Sequence, residues 1–242
     1  VDIIPVLDVM NGLVVQGHRG DRRHYRPVES VLVDSAKPLP VATALIRETR
    51  CRELYVADLD ALEGTDDAHT VLRALRRGLD VGLWVDAGVS DTDGAGRLLE
   101  DGATRVVVGT ETLHGLAGLR EIIGAFSPEQ VLVSLDVGAG GVLTRCAELR
   151  GLEPLEALAV LAGEGVTQVL FLTLDRVGTG TGPALVELRA AMAAFPGLSF
   201  IAGGGVRTSA ELAALRAIDV GGVLLATALH RGWIRAADLG GR

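Results

Sequence analysis

Short apolar runs bounded by Gly or Asp recur along the chain at 3–7, 53–57, 81–85, 105–108, 131–135, 168–173, 199–202 and 220–225. Continuous runs of this length between turn residues mark strands buried on both faces. The pattern therefore predicts eight strands. Between them the apolar positions switch to helical spacing, as in 68–77 (Val71, Leu72 and Leu75), 155–162 and 184–194. Regular strand and helix alternation implies parallel β-α units. Thr208 with Glu211 predicts a capping box, Pro183 suits a first helical turn, and Gly78 and Gly102 suit helix ends. Two long segments, 11–37 and 138–153, follow strands and are expected to be mobile loops over a site.

The polar punctuation repeats at long range. Gly88-Val89 and Gly109-Thr110 stand 21 positions apart, and Gly205-Val206 and Ala226-Thr227 repeat that spacing. The segment from Ile4 to Val9 matches Val133 to Val137, and Asp58-Leu59-Asp60 with Gly64-Thr65 matches Thr173-Leu174-Asp175 with Gly178-Thr179. Two halves of four units, about 1–125 and 126–242, close naturally into one α/β domain, a single (β/α)8 TIM barrel with an internal two-fold repeat. An open dinucleotide-binding sheet would carry a Gly-rich fingerprint after its first strand. None follows residues 3–7.

Composition sharpens this picture. The chain is 48% hydrophobic but only 3% aromatic, so Val, Leu, Ile and Ala must fill the core, as parallel strands require. A net charge of −8 opposes phosphate-backbone binding and argues against a nucleic-acid partner. Cys51 and Cys146 lack CxxC or metal-ligand spacing and are read as reduced thiols, which with no signal or membrane-spanning run leads us to expect a cytoplasmic protein. No membrane partner, metal or cofactor is expected. The oligomeric state is left open.

Candidate chemistry sits at the strand ends. Asp8 and Asp136 close equivalent strands of the two halves, so in a closed barrel they should face each other. Two opposed carboxylates fit acid-base catalysis, although an Asp after a strand also serves to cap a turn. Gly203-Gly204-Gly205-Val206-Arg207-Thr208 with Ala226-Thr227 offers backbone N–H groups beside a helix start, the usual phosphate cradle of such barrels. We therefore expect a small phosphorylated metabolite at Gly204, Gly205, Arg207, Ala226 and Thr227. The matching turn of the first half, Gly88, Gly109 and Thr110, is a second candidate contact. There Asp86 and Glu111 bring acidic side chains, so that half should bind something neutral or cationic, or nothing. Asp58, Asp60, Thr173 and Asp175 end strands two and six, where bracing and substrate contact are equally expected. Arg19, Arg22, Arg23, His24 and Arg26 make the first loop locally positive, and Arg19 is the candidate phosphate ligand among them.

These residues resemble the histidine-biosynthesis barrel family, the HisA isomerases and their HisF cyclase relatives. The resemblance runs from strand one to strand eight. It rests on Ile3-Ile4-Pro5-Val6-Leu7-Asp8 with Asn11-Gly12, Asp58-Leu59-Asp60, Val108-Gly109-Thr110, Leu135-Asp136, Gly178-Thr179 with Gly182-Pro183, and Gly204-Gly205-Val206. It implies a bisphosphate ligand, Gly178 among its contacts, no cofactor, and an Amadori rearrangement of an aminoaldose to an aminoketose with Asp8 and Asp136 as acid and base. The chain departs from the pattern at Val177, where the motif has Asp, and at Gln16, where the family carries Arg or Lys. Cys146-Ala147 stand where the isomerase has Gly-Trp, and Asp86 and Ser90 replace a Gly and an Arg of one phosphate loop. Nothing suggests an ammonia-supplying glutaminase interface.

Three readings follow: a HisA-type isomerase of a phosphorylated aminosugar, a diverged paralogue acting on another phosphorylated intermediate, for which relatives linked to tetrahydromethanopterin and one-carbon metabolism are the precedent, and a noncatalytic ligand-binding or scaffolding barrel. Only the last would tolerate loss of Asp8 or Asp136.

Overall fold

The structure, a computed structural model, describes residues 1–18, 21–64 and 69–240. Arg19, Thr65 and Ala68 lie outside the described residues. The eight predicted strands are β1 (Asp2–Met10), β2 (Glu53–Asp58), β3 (Gly82–Asp86), β4 (Arg105–Gly109), β5 (Val131–Gly138), β6 (Gln168–Thr173), β7 (Ser199–Gly203) and β8 (Gly222–Leu225). Each pairs in parallel with the next, and β1 pairs with β8 from Asp2↔Gly222 to Pro5↔Leu225, which closes the sheet into a barrel. Closure leaves no free edge among these strands.

Helices α1 (Pro38–Thr49), α2 (His69–Gly78), α3 (Thr92–Glu100), α4 (Leu116–Ala125), α5 (Pro154–Gly163), α6 (Leu185–Ala194) and α7 (Ser209–Ala217) connect successive strands. The capping box at α7 is present: Glu211 N–H donates to Thr208 Oγ1 at 3.2 Å and Thr208 N–H donates to Glu211 Oε2 at 3.0 Å. Gly102, at φ +108°, takes the left-handed turn after α3. Pro183 falls ahead of α6 rather than in its first turn. Gly182 N–H donates to Gly205 O and the Arg176 guanidinium to Gly182 O, so residues around 182–183 are held as a loop beneath the β7 turn.

Two apolar layers share the strands by parity. Leu7, Val9, Val56, Val85, Val106, Val133, Phe171 and Ala202 face the helices. Ile4, Val6, Tyr55, Trp84, Val107, Leu132, Leu170, Ile201 and Leu224 fill the barrel interior. Period-two alternation assigns each residue to one layer or the other. Near the strand N-termini, Arg105 lies over the Trp84 ring at 4.3 Å, and Trp84 Nε1 donates to Glu53 Oε2 at 2.8 Å.

Both long segments carry structure of their own. β1 and β5 outrun the predicted strands because each continues into an antiparallel pairing, with Leu13–Gln16 and with Gly141–Val142 respectively. The first segment is also tied down by Val14 N–H to Ala36 O at 2.7 Å and Val31 N–H to His230 O at 2.9 Å. The second is held by Leu143 N–H to Asp136 O and by Thr110 Oγ1 to Leu143 O. These expected mobile loops are hydrogen-bonded flaps.

Candidate active site

β1 and β5 lie four strands apart around the ring in either direction, so they stand on opposite walls. Parity points Asp8 and Asp136 inward, above Val6 on one wall and Leu132 on the other, and both line a cleft at the C-terminal end of the barrel. The cleft holds about 1040 Å³, its open mouth included. Asp136 is buried and accepts a hydrogen bond from Ser134 Oγ at 2.7 Å. Burial drives its carboxyl well above the usual range against the pull of Ser134, with Glu111 and Asp86 adding repulsion. Asp8 is pushed up only to about 6, by burial opposed by the Arg22 guanidinium. The backbone of Gly17 crowds Asp8: a Cβ there would lie 3.0 Å from Asp8 Oδ2.

β7 and β8 form another wall. Gly204 and Gly205 have φ +98° and +85°, Gly204 stands against Thr173 O, and a Cβ at Gly205 would overlap Gly182 O. Both positions are closed to side chains on two grounds. The turn meets the cleft through Gly204, Gly205, Val206, Ala226 and Thr227.

Opposite this turn the wall is acidic, because β3 faces β7 and β4 faces β8 across the ring. Asp86 accepts a hydrogen bond from Tyr55 Oη at 2.8 Å, while its Oδ1 is buried without a partner. Burial raises the Asp86 carboxyl to about 7; Tyr55 lowers it, Glu111 raises it, and the Gly88 N–H and Arg22 lower it weakly. Arg22, from the loop after β1, is the cation among the described cleft residues. It is engaged by Glu111 and approaches Glu63 at 3.7 Å.

The remaining expected contacts divide by parity and by loop packing. Gly178 meets the cleft and packs on Gly17 O. Thr173 and Thr110 fall out of register with the inward set: Leu172 and Leu174 line the cleft in place of Thr173, whose Oγ1 is buried without a partner. Thr110 is wholly buried and accepts from Asp136 N–H at 3.3 Å, so it braces β5 from behind. Gly88 packs on Leu62, Gly109 lies next to the Asp136 carboxylate, and Arg207 stacks on Trp233 at 5.1 Å, so these three stand beside the cleft lining. Asp58 caps the short helix Leu59–Leu62 by accepting from Ala61 N–H, and Asp60 accepts from Asn11 N–H. Of the first loop, Arg22 reaches the cleft, whereas Arg23 and His24 engage Asp21. Gln16 Oε1 accepts from Arg231 at 3.1 Å. Tyr25, Tyr55 and Trp233 also line the cleft. The chain pattern signals Tyr55, two residues before Ala57 on the inward face of β2.

Among the described residues no helix is long and apolar enough to cross a membrane, and no three His, Cys, Asp or Glu side chains converge as metal ligands. Fold and cleft together define a (β/α)8 barrel that opens at its C-terminal face, the face on which enzymes of this architecture carry their sites. The family model described as Histidine biosynthesis protein matches residues 2–235, and the chain belongs to that family. It is 34% identical over 242 residues to the 1-(5-phosphoribosyl)-5-((5-phosphoribosylamino)methylideneamino)imidazole-4-carboxamide isomerase of Thermomicrobium roseum, covering 96% of this chain and 93% of the relative. The isomerase of the same name from a Synechococcus strain is 32% identical over 245 residues, with 99% and 91% covered. An uncharacterized protein of Methanocaldococcus jannaschii is 28% identical over 233 residues, with 95% and 93% covered. The chain is thus a HisA-like isomerase in kind.

Proposed function

We propose that the chain isomerises a phosphorylated aminoaldose to the aminoketose, with Asp136 as general acid and Asp8 as general base. The observation that carries this is the pair of opposed, inward carboxylates held at different proton affinities. Asp8, at about 6, is ionised at neutral pH, whereas burial, with the Glu111 and Asp86 carboxylates, makes Asp136 hold its proton more tightly than an ordinary carboxyl does. Asp136 gives its proton to the sugar ring oxygen, which opens the ring to a protonated Schiff base. Asp8 then takes the proton from C2, leaving an enaminol; protonated Asp8 returns a proton to C1 while the O2 hydroxyl gives its proton to Asp136, which yields the ketone and restores both carboxyls. No net oxidation occurs, so the step needs no redox partner. The substrate phosphate sits on the turn of Gly204 and Gly205 with Ala226 and Thr227, which lines the cleft with backbone and admits no side chain at the two glycines.

The test is turnover of the imidazole-carboxamide substrate named for the relatives. Asp8→Asn and Asp136→Asn are each expected to lower kcat by roughly 10²–10⁴-fold, the range of a positioned acid or base. Turnover undiminished in either variant would overturn the assignment and favour the binding-barrel reading.

A further inference from the structure

The two ends of the cleft carry opposite chemistry. At one end the β7 and β8 turns offer backbone without side-chain charge, and diametrically across the ring β3 and β4 bring Asp86 and Glu111 to the wall. Glu111 is already occupied by Arg22, which approaches Glu63 as well. Asp86 is not neutralised in this way. It is 9% exposed, lines the cleft, receives one hydrogen bond from Tyr55, and keeps Oδ1 buried without a partner. Burying a carboxylate that its hydrogen bonds solvate incompletely is costly, and a cation seated beside it at the cleft wall offsets that cost. A second phosphate at this end would instead set like charges together.

We propose that Asp86 is a specificity-determining residue that binds a cationic nitrogen of the substrate, so that the preferred ligand carries phosphate at one end and an amino group in place of a second phosphate at the other. Tyr55 positions the carboxylate by holding its second oxygen. The described carboxylates do not converge as metal ligands, which fits a molecular cation better than a bare ion. A bisphosphorylated compound is accepted with a penalty at the Asp86 end. This inference rests on the isomerase reading for the placement of the phosphate at β7 and β8.

The experiment compares three probe series of matched chain length by calorimetry: ω-aminoalkyl phosphates, plain alkyl phosphates and α,ω-alkane bisphosphates. The wild-type protein is expected to bind the best aminoalkyl phosphate roughly tenfold more tightly than the plain alkyl phosphate, and the bisphosphate more weakly than the aminoalkyl phosphate. Asp86→Asn keeps the shape and the Tyr55 contact. It is expected to erase the amine advantage while leaving alkyl phosphate affinity unchanged, which also reports an intact fold. A bisphosphate that binds tightest, or an amine advantage that survives Asp86→Asn, overturns the proposal. Should the variant fail to fold, the wild-type ranking alone decides. Failure of every phosphate probe to bind overturns this inference together with the phosphate placement, whereas a bisphosphate preference with turnover lost in Asp8→Asn and Asp136→Asn sinks only the role of Asp86.

Discussion

Asp8 and Asp86 are both held above the ordinary carboxylate range, and each displacement has a sign that experiment can read. Because Asp8 is a base only when ionised, kcat/KM should rise as pH passes through about 6 and fall again once Asp136 loses its proton. Arg22 is the group that lowers Asp8, so Arg22→Met is expected to move the acidic limb of the pH–rate profile upward. An unmoved limb would show that Arg22 does not set the base. For Asp86 the folded protein retains a proton that the unfolded chain has lost between pH 3.8 and about 7. Stability from this group is therefore present at low pH and lost as pH rises through about 7. Asp86→Asn is expected to raise Tm at pH 8 by the equivalent of about 1–3 kcal/mol, with the difference vanishing below the unfolded-state value. A variant less stable than wild type at pH 8 would show that the charge is compensated after all.

Between strands, helices and turns, the glycine turn after β7 is the least replaceable element. Gly205→Ala combines a positive φ with an overlap against Gly182 O, so it should lose about 1–3 kcal/mol of stability and most of the phosphate affinity, as thermal melts and calorimetry would show. Thr208→Ala removes half of the α7 capping box and is expected to cost about 1 kcal/mol. The strands and this cap were legible from sequence because each depends on local spacing. The site was legible only in part. Asp8, Asp136 and the Gly204-Gly205 turn reach the cleft as expected, since they terminate strands whose parity is anchored by the apolar run before them. Thr173 also ends a strand, but one step out of phase, so Leu172 takes the inward place. Arg22 and Trp233 arrive from loops whose paths depend on long-range contacts such as Val31 to His230, which no local pattern reports. Pro183 misses its helix for a similar reason: Arg176 and Gly205 hold the chain ahead of it.

At the scale of the whole molecule, ligand binding and folding are linked, since the cleft walls come from strands distributed around the ring. Inorganic phosphate at about 100 times its Kd would stabilise the folded state by about 2.7 kcal/mol. For a chain of this size that is a rise in Tm of roughly 5–10 °C. The rise should be absent in Gly205→Ala, and a wild-type Tm indifferent to phosphate would remove the anion site from the account.

The division of each strand into an inward and an outward series also bears on how such a protein can diverge. Residues facing the helices and residues facing the cleft are different sets, interleaved along the same eight segments. Changes confined to the mouth positions, such as Ala57, Asp86, Leu172 and Ala226, leave the helix-packing series untouched. Substrate preference can thus drift by single steps while the scaffold stays under independent selection, and a combinatorial library restricted to those positions should yield mostly folded barrels.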